Sequence, residues 1–159
     1  MKPSSMRMTV RFITRETVMY KNTPIAEGLF TWPSKEPALL GSRCQQCNIA
    51  EFPQKPSCPA CGSVDVQVEE LPRKGTLWTW TIQGFMPKKP YLSDETPETF
   101  TPYGVGYIEL PGAVCVESRL LENSPEKLKI GMEMELVVET FRHDESGNPV
   151  MSFAFKAVE

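Results

Sequence analysis

The chain has 159 residues, enough for one ordinary domain or for a small module joined to a barrel-sized one. Its net charge of −3 offers no general attraction to nucleic-acid phosphates, and no apolar run approaches the ~20 residues that span a bilayer. Fifteen prolines favour strands and loops over long helices.

Residues 1–43 read as an N-terminal arm. Residues 9–13 (TVRFI) have the pattern of a short strand, and residues 25–32 (IAEGLFTW) that of one or two helical turns stopped by Pro33. Apolar residues are too sparse there for an independent core, so the arm must dock on something else. The basic N-terminus is not followed by an apolar stretch with a small-residue cleavage site, so no secretory signal is expected. The expected compartment is the cytoplasm, where thiols stay reduced.

Residues 44–74 carry four of the five cysteines, as Cys44-x2-Cys47, ten residues, then Cys58-x2-Cys61. Each pair can form a tight knuckle, and two facing knuckles place four thiolates around a tetrahedral point. That geometry suits zinc, and the spacing alone leaves iron open. Asn48 and Gly62 follow the two pairs, and both residue types accept the positive φ of a knuckle exit. Four thiolates close the coordination shell, so the metal is read as structural. A ribbon this short cannot bury enough surface to fold alone, and the metal stands in for a hydrophobic core.

From residue 75 to 159 the pattern is that of strands with period two. In 75–85 (GTLWTWTIQGF), Trp78, Trp80 and Ile82 share one face, which makes core packing the expected role of both tryptophans and a base-stacking platform the alternative. Residues 103–110 lead through Pro111-Gly112 into 113–121, where Val114, Val116 and Leu120 line one face. In 132–141 Met132, Met134, Leu136 and Val138 point one way and Glu133, Glu135 and Glu139 the other; 150–158 places Met151, Phe153 and Phe155 together. Five short strands suit a closed five-stranded OB barrel, since closure removes exposed edges. Residues 124–131 (SPEKLKIG) read as a Ser-capped helical turn where such a barrel carries its helix, and Gly104 and Gly106 as bend points at a barrel corner.

Other candidates are weaker. Cys115 sits mid-strand and is expected to be a buried structural thiol; a catalytic thiol would want a histidine, and nothing places the single histidine, His143, beside it. Residues 86–102 form a long loop with four prolines, and its Lys88 and Lys89, like Arg73 and Lys74 before the barrel, are candidates for reaching phosphates. No Gly-rich phosphate loop and no Ser/His/Asp set is present, so no catalytic centre is expected.

The order of motifs carries a family likeness: LLGSRCQQC, FPQKPSCPACGS, VEELPRKGTLWTWTI, PYGVGYIELPGAVCVESRL and LKIGMEMELV. It resembles the zinc-ribbon/OB-fold proteins that accompany thiolases and other acyl-CoA enzymes in bacteria and archaea, from about residue 25 to 157. Asn48 stands where glycine is usual in that family, and the 86–102 loop is longer. The resemblance implies a mainly β fold, a rubredoxin-like ribbon followed by an OB barrel, with structural zinc on Cys44, Cys47, Cys58 and Cys61. It also implies a non-catalytic subunit in a hetero-oligomer with a thiolase-like large subunit, and an acyl-CoA ester as ligand of the complex, whose phosphates Lys88 and Lys89 would meet. Within the family, the leader and long loop are similar to those of benzoylsuccinyl-CoA thiolase small subunits, which act in anaerobic toluene degradation. The alternative is a nucleic-acid-binding ribbon and barrel, which the net charge disfavours, and no membrane partner is expected.

Overall fold

The computed structural model describes residues 22–158, which form nine strands and no helix. They are β1 (Thr23–Pro24), β2 (Leu40–Cys44), β3 (Ala50–Glu51), β4 (Val66–Glu70), β5 (Lys74–Gln83), β6 (Tyr103–Glu109), β7 (Cys115–Leu120), β8 (Glu133–His143) and β9 (Pro149–Ala157). The last five are the strands that alternation marks, and they close on themselves in the order β5-β6-β7-β9-β8-β5. All neighbours are antiparallel except β7 and β9, which meet in parallel at Leu120 and Phe155. This is the five-stranded OB barrel. Among the described residues, no helix is long and apolar enough to cross a membrane.

The inward residues of the barrel strands make the core. Leu77, Ile108, Val116, Leu120, Met134, Leu136 and Phe155 are essentially sealed from solvent. Gly104 and Gly106 face inward among them, and the reason is room rather than a bend. A Cβ at Gly104 would strike the Glu122 carbonyl oxygen, and one at Gly106 would come within 2.8 Å of Leu77 Cδ1. Their missing side chains let Leu77 and Leu120 close over β6.

The expected shared face of Trp78, Trp80 and Ile82 holds for the last two only. A bulge between Leu77 and Thr79 inserts Trp78 as the extra residue. Leu77 pairs with inward Ile108, Thr79 with outward Tyr107 and Trp80 with inward Gly106. Trp80 and Ile82 thus stay in phase with the core, while Trp78 is 61% exposed.

Three local expectations are corrected. Residues 25–32 form no helical turn: Gly28 adopts φ +71° in a tight turn, and the nearby amides pair elsewhere, Ile25 with the Met151 carbonyl and Thr31 with that of Ala38. Tertiary partners outcompete a segment too short to nucleate a helix by itself. At 124–131 the expected helical turn is present only as separate single turns, Lys127 N–H to Ser124 O at 3.0 Å and Met132 N–H to Lys129 O at 3.2 Å, with Gly131 at φ +89°. Leu128 from this stretch still plugs the core. Cys115 is exposed rather than buried, because the alternation that points Val116 inward points its neighbour out. The strand expected at 9–13 lies outside the described residues.

The described part of the arm docks on the same chain. β1 runs parallel to β9, with Thr23 opposite Val150, and Phe30 bridges Leu39 to bury both. β3, β2 and β4 form a separate three-stranded sheet that begins at Leu40. Phe30, Leu39 and Leu71 join the barrel residues in one continuous core, and Phe52 meets Phe153 edge-to-face at 5.7 Å. The small sheet is therefore welded to the barrel rather than tethered to it.

Candidate metal centre

The two CxxC segments fold by the same local rule. Cys44 N–H donates to Ile49 O and Asn48 N–H to Cys44 O, at 2.9 and 3.0 Å. Fourteen positions on, Cys58 N–H donates to Ser63 O and Gly62 N–H to Cys58 O, at 2.8 and 2.9 Å. Each knuckle leaves through a left-handed residue, Asn48 at φ 60° and Gly62 at φ 75°, as the residue types led one to expect. The Ile49 and Ser63 amides reach the sulfurs of Cys47 and Cys61, and the Cys47 amide reaches that of Cys44.

The four sulfurs converge within 4.8 Å of one another, with Cys44 to Cys61 and Cys47 to Cys58 both at 3.5 Å. Four bonds of about 2.3 Å to a tetrahedral ion would space sulfurs by about 3.8 Å. All four cysteines are free thiols, and the donor set fits a thiophilic cation such as zinc. Electrostatics make the same demand. The amide of Cys47 first, and that of Gln46, hold the Cys44 thiol down to about 6. The Ile49 amide acts in the same sense on Cys47, but desolvation and the neighbouring sulfurs prevail and push it up to about 12. Sulfurs this close cannot all ionise unless a cation compensates them.

Arg43, next to Cys44, was not singled out by its sequence context. It forks onto Glu69 of β4 at 2.8 and 2.9 Å, donates to the Asn48 carbonyl inside the first knuckle at 3.0 Å, and to the Gly112 carbonyl at the β6–β7 turn at 3.0 Å. Glu69 raises its pKa. One side chain thus braces knuckle, sheet and barrel. Its partners are up to 69 positions away, so no local signal could have marked it.

The other candidates disperse. Lys88 lines a cavity of about 480 Å³ with Phe85, Met86 and Phe100, while Lys89 is exposed outside that lining. Arg73 sits 3.6 Å from Glu36 and 3.8 Å from Glu135, and Lys74 3.0 Å from Glu133, so both are engaged in ion pairs. A second cleft, about 230 Å³, opens where β7 and β9 diverge; Arg119 lies there over the Tyr103 ring at 4.5 Å and 3.6 Å from Glu139, whose carboxyl is raised by burial.

His143 meets neither Cys115 nor the thiol cluster. Asp94, from the long loop, accepts the His143 backbone N–H on both oxygens at 3.0 Å and faces ring Nδ1 at 2.8 Å. With Tyr91 stacked edge-on against Phe141, this ties the loop to the end of β8. The backbone N–H of His143, then its ring, holds the Asp94 carboxyl below its usual value. The tether is therefore complete above about pH 4 and is lost as pH falls through the lower folded pKa. Amide protection across residues 84–102 should drop on acidification through that window, and Asp94→Ala should remove the dependence. Identical pH profiles for the two proteins would mean that other contacts hold the loop.

Residues 68–139 match the family described as ChsH2, C-terminal OB-fold domain. The chain is 31% identical over 124 residues to the benzoylsuccinyl-CoA thiolase subunit BbsA of Thauera aromatica, which spans 78% of this chain and 79% of that one. It is also 31% identical over 121 residues to a DUF35 domain-containing scaffold protein of Pyrococcus furiosus, across 76% of this chain and 83% of that one. Among solved structures, the Ltp2-ChsH2(DUF35) aldolase superposes with a TM-score of 0.55 and 25% identity, over 76% of this chain and 84% of the matched one.

Proposed function

This chain belongs to the OB-fold ChsH2/DUF35 family, and from that membership we propose that it is a non-catalytic, zinc-binding subunit of a thiolase-type acyl-CoA enzyme complex. The observation that carries the reading is the extent of the likeness. The match to BbsA runs over 124 residues, more than the barrel alone contains, so it takes in much of the small sheet as well. The aldolase likeness extends over a similar share of the chain. The relatives' names place one in a thiolase and the other in an aldolase assembly.

In this reading zinc sits on Cys44, Cys47, Cys58 and Cys61 and does structural work: a shell closed by four sulfurs leaves no position for water or substrate. Zinc is preferred to iron because no other feature of the chain suggests electron transfer. The large subunit supplies the chemistry. The barrel and the 86–102 loop help shape the path of the CoA ester, with Lys88 and Lys89 at its phosphates, and the substrate is benzoylsuccinyl-CoA or a near analogue.

Co-expression with the thiolase reading frame nearest to its gene tests this. A complex that co-elutes, contains one zinc per copy of this chain and cleaves an acyl-CoA only when both chains are present is the expected result. A colourless, zinc-loaded protein that stays a monomer beside a fully active thiolase would overturn the subunit role.

A further inference from the structure

The outer face of β5, β6 and β7 carries a feature that neither the metal centre nor the subunit role uses. The bulge lifts Trp78 out of the barrel, where it packs edge-on against Tyr107 at 6.4 Å and 84°. Tyr107 is itself pinned, its hydroxyl donating to Glu117 at 2.7 Å. An exposed indole alone is unremarkable. This one is held in place by a neighbour that is held in turn, so presenting its surface costs little further ordering.

Among the described residues, the side chains lining its cavity carry negative charge only. Glu109 and Cys115 sit opposite each other across β6 and β7, and with Trp78 they line a shallow cavity of about 300 Å³. Glu117 follows on the same face of β7. The neighbouring cations are each drawn to a carboxylate elsewhere: Lys74 to Glu133, Arg119 to Glu139 and Arg43 to Glu69. Among the described residues, the Glu109 side chain has no ion pair or hydrogen bond.

We propose that this face is a docking surface for a cationic protein segment, one that lays an arginine across Trp78 with Glu109 and Glu117 flanking its guanidinium. Trp is the best partner for a stacked cation, and Arg is weakly hydrated, planar and able to meet carboxylates at its edge while its face lies on a ring. The Cys115 side and the indole leave apolar floor for a small aliphatic or proline neighbour. A nucleic-acid strand would also stack on the indole, but among the described residues its phosphates would meet two carboxylates and cations already paired. The inference goes beyond the subunit reading and does not depend on it, since its test needs no large subunit.

The test uses the full chain with its metal retained, labelled with ¹⁵N, and follows the indole N–H signals of Trp32, Trp78 and Trp80. Three probes are titrated: the blocked peptide Ac-Gly-Arg-Pro-Arg-Gly-NH2, its counterpart with glutamate in place of arginine, and an oligothymidine single strand. The arginine peptide should shift the Trp78 signal saturably and leave Trp80 unmoved. The double substitution Glu109→Gln with Glu117→Gln should weaken binding about tenfold. Both positions are on the surface, and unchanged Trp32 and Trp80 signals would verify the fold. The proposal is overturned if the arginine peptide leaves Trp78 unmoved, if the glutamate peptide acts as well, if the oligonucleotide binds more tightly, or if the double variant binds like the parent.

Discussion

Cys44→Ser and Cys58→Ser are each expected to release the bound metal and to melt the three-stranded sheet. Both side chains are buried, at 2% and 3% exposure, so neither can be replaced by a water-exposed ligand without opening its knuckle. Within itself the sheet has little apolar packing, and its hold on the barrel runs through residues at its edges, Leu39, Phe52 and Leu71. β3 contributes two residues, and on β4 Val68 faces solvent, as does Val64 just before the strand. Metal binding in comparable four-ligand peptides is worth roughly 10–16 kcal/mol, as much as the whole net stability of an ordinary domain. Because Phe30, Leu39 and Leu71 belong to the barrel core, the damage should spread beyond the ribbon and lower the melting temperature of the entire chain. Elemental analysis with a thermal melt reads both effects. Cys115→Ser, at an exposed thiol that is not part of the cluster, should keep one metal and melt like the parent. A Cys58→Ser protein with full metal content and an unchanged melt would show that the thiols hold nothing.

Phe155→Ala should be the most damaging change in the barrel. Phe155 is fully buried and lies where β9 pairs with Leu136 of β8 on one side and Leu120 of β7 on the other. Its carbonyl also receives the Leu121 N–H at 3.0 Å. Since β7 and β9 share a single register pair, the ring is the principal filler at the weakest seam of the barrel. Removing a buried phenyl ring costs about 3–5 kcal/mol when the cavity cannot collapse. Here it is walled by closed strands, so the upper half of that range is expected, with a fall in Tm of roughly 10 °C or more. Phe155→Leu should recover much of the loss. A fall of only a degree or two in the alanine variant would mean that the seam closes by itself.

Much of this architecture was legible along the chain because it is periodic. Met134 and Leu136, or Val116 and Leu120, recur at the spacing of a half-buried strand, and all five barrel strands follow from such patterns. The knuckles were legible because their chemistry is local: two cysteines, two intervening residues, and Asn48 or Gly62 to turn the chain. The helical turns at 25–32 and the extent of the one at 124–131 were misread, since backbone amides there find distant carbonyls that short-range propensity does not know about. Cys115 was misplaced by the burial habit of its residue type, although the alternation of its own strand already pointed it outward.

The amino-acid order by itself thus determined which strands form, which faces they bury and where four thiols can gather, because each depends on residues a few positions apart. Only the tertiary structure decided that Trp78 leaves the core, that Arg43 spans Glu69, Asn48 and Gly112, and that Asp94 reaches His143. Those outcomes rest on register and on contacts between residues tens of positions apart, and a bulge of one residue changes the side of the sheet on which a side chain emerges without altering the pattern that predicts the strand.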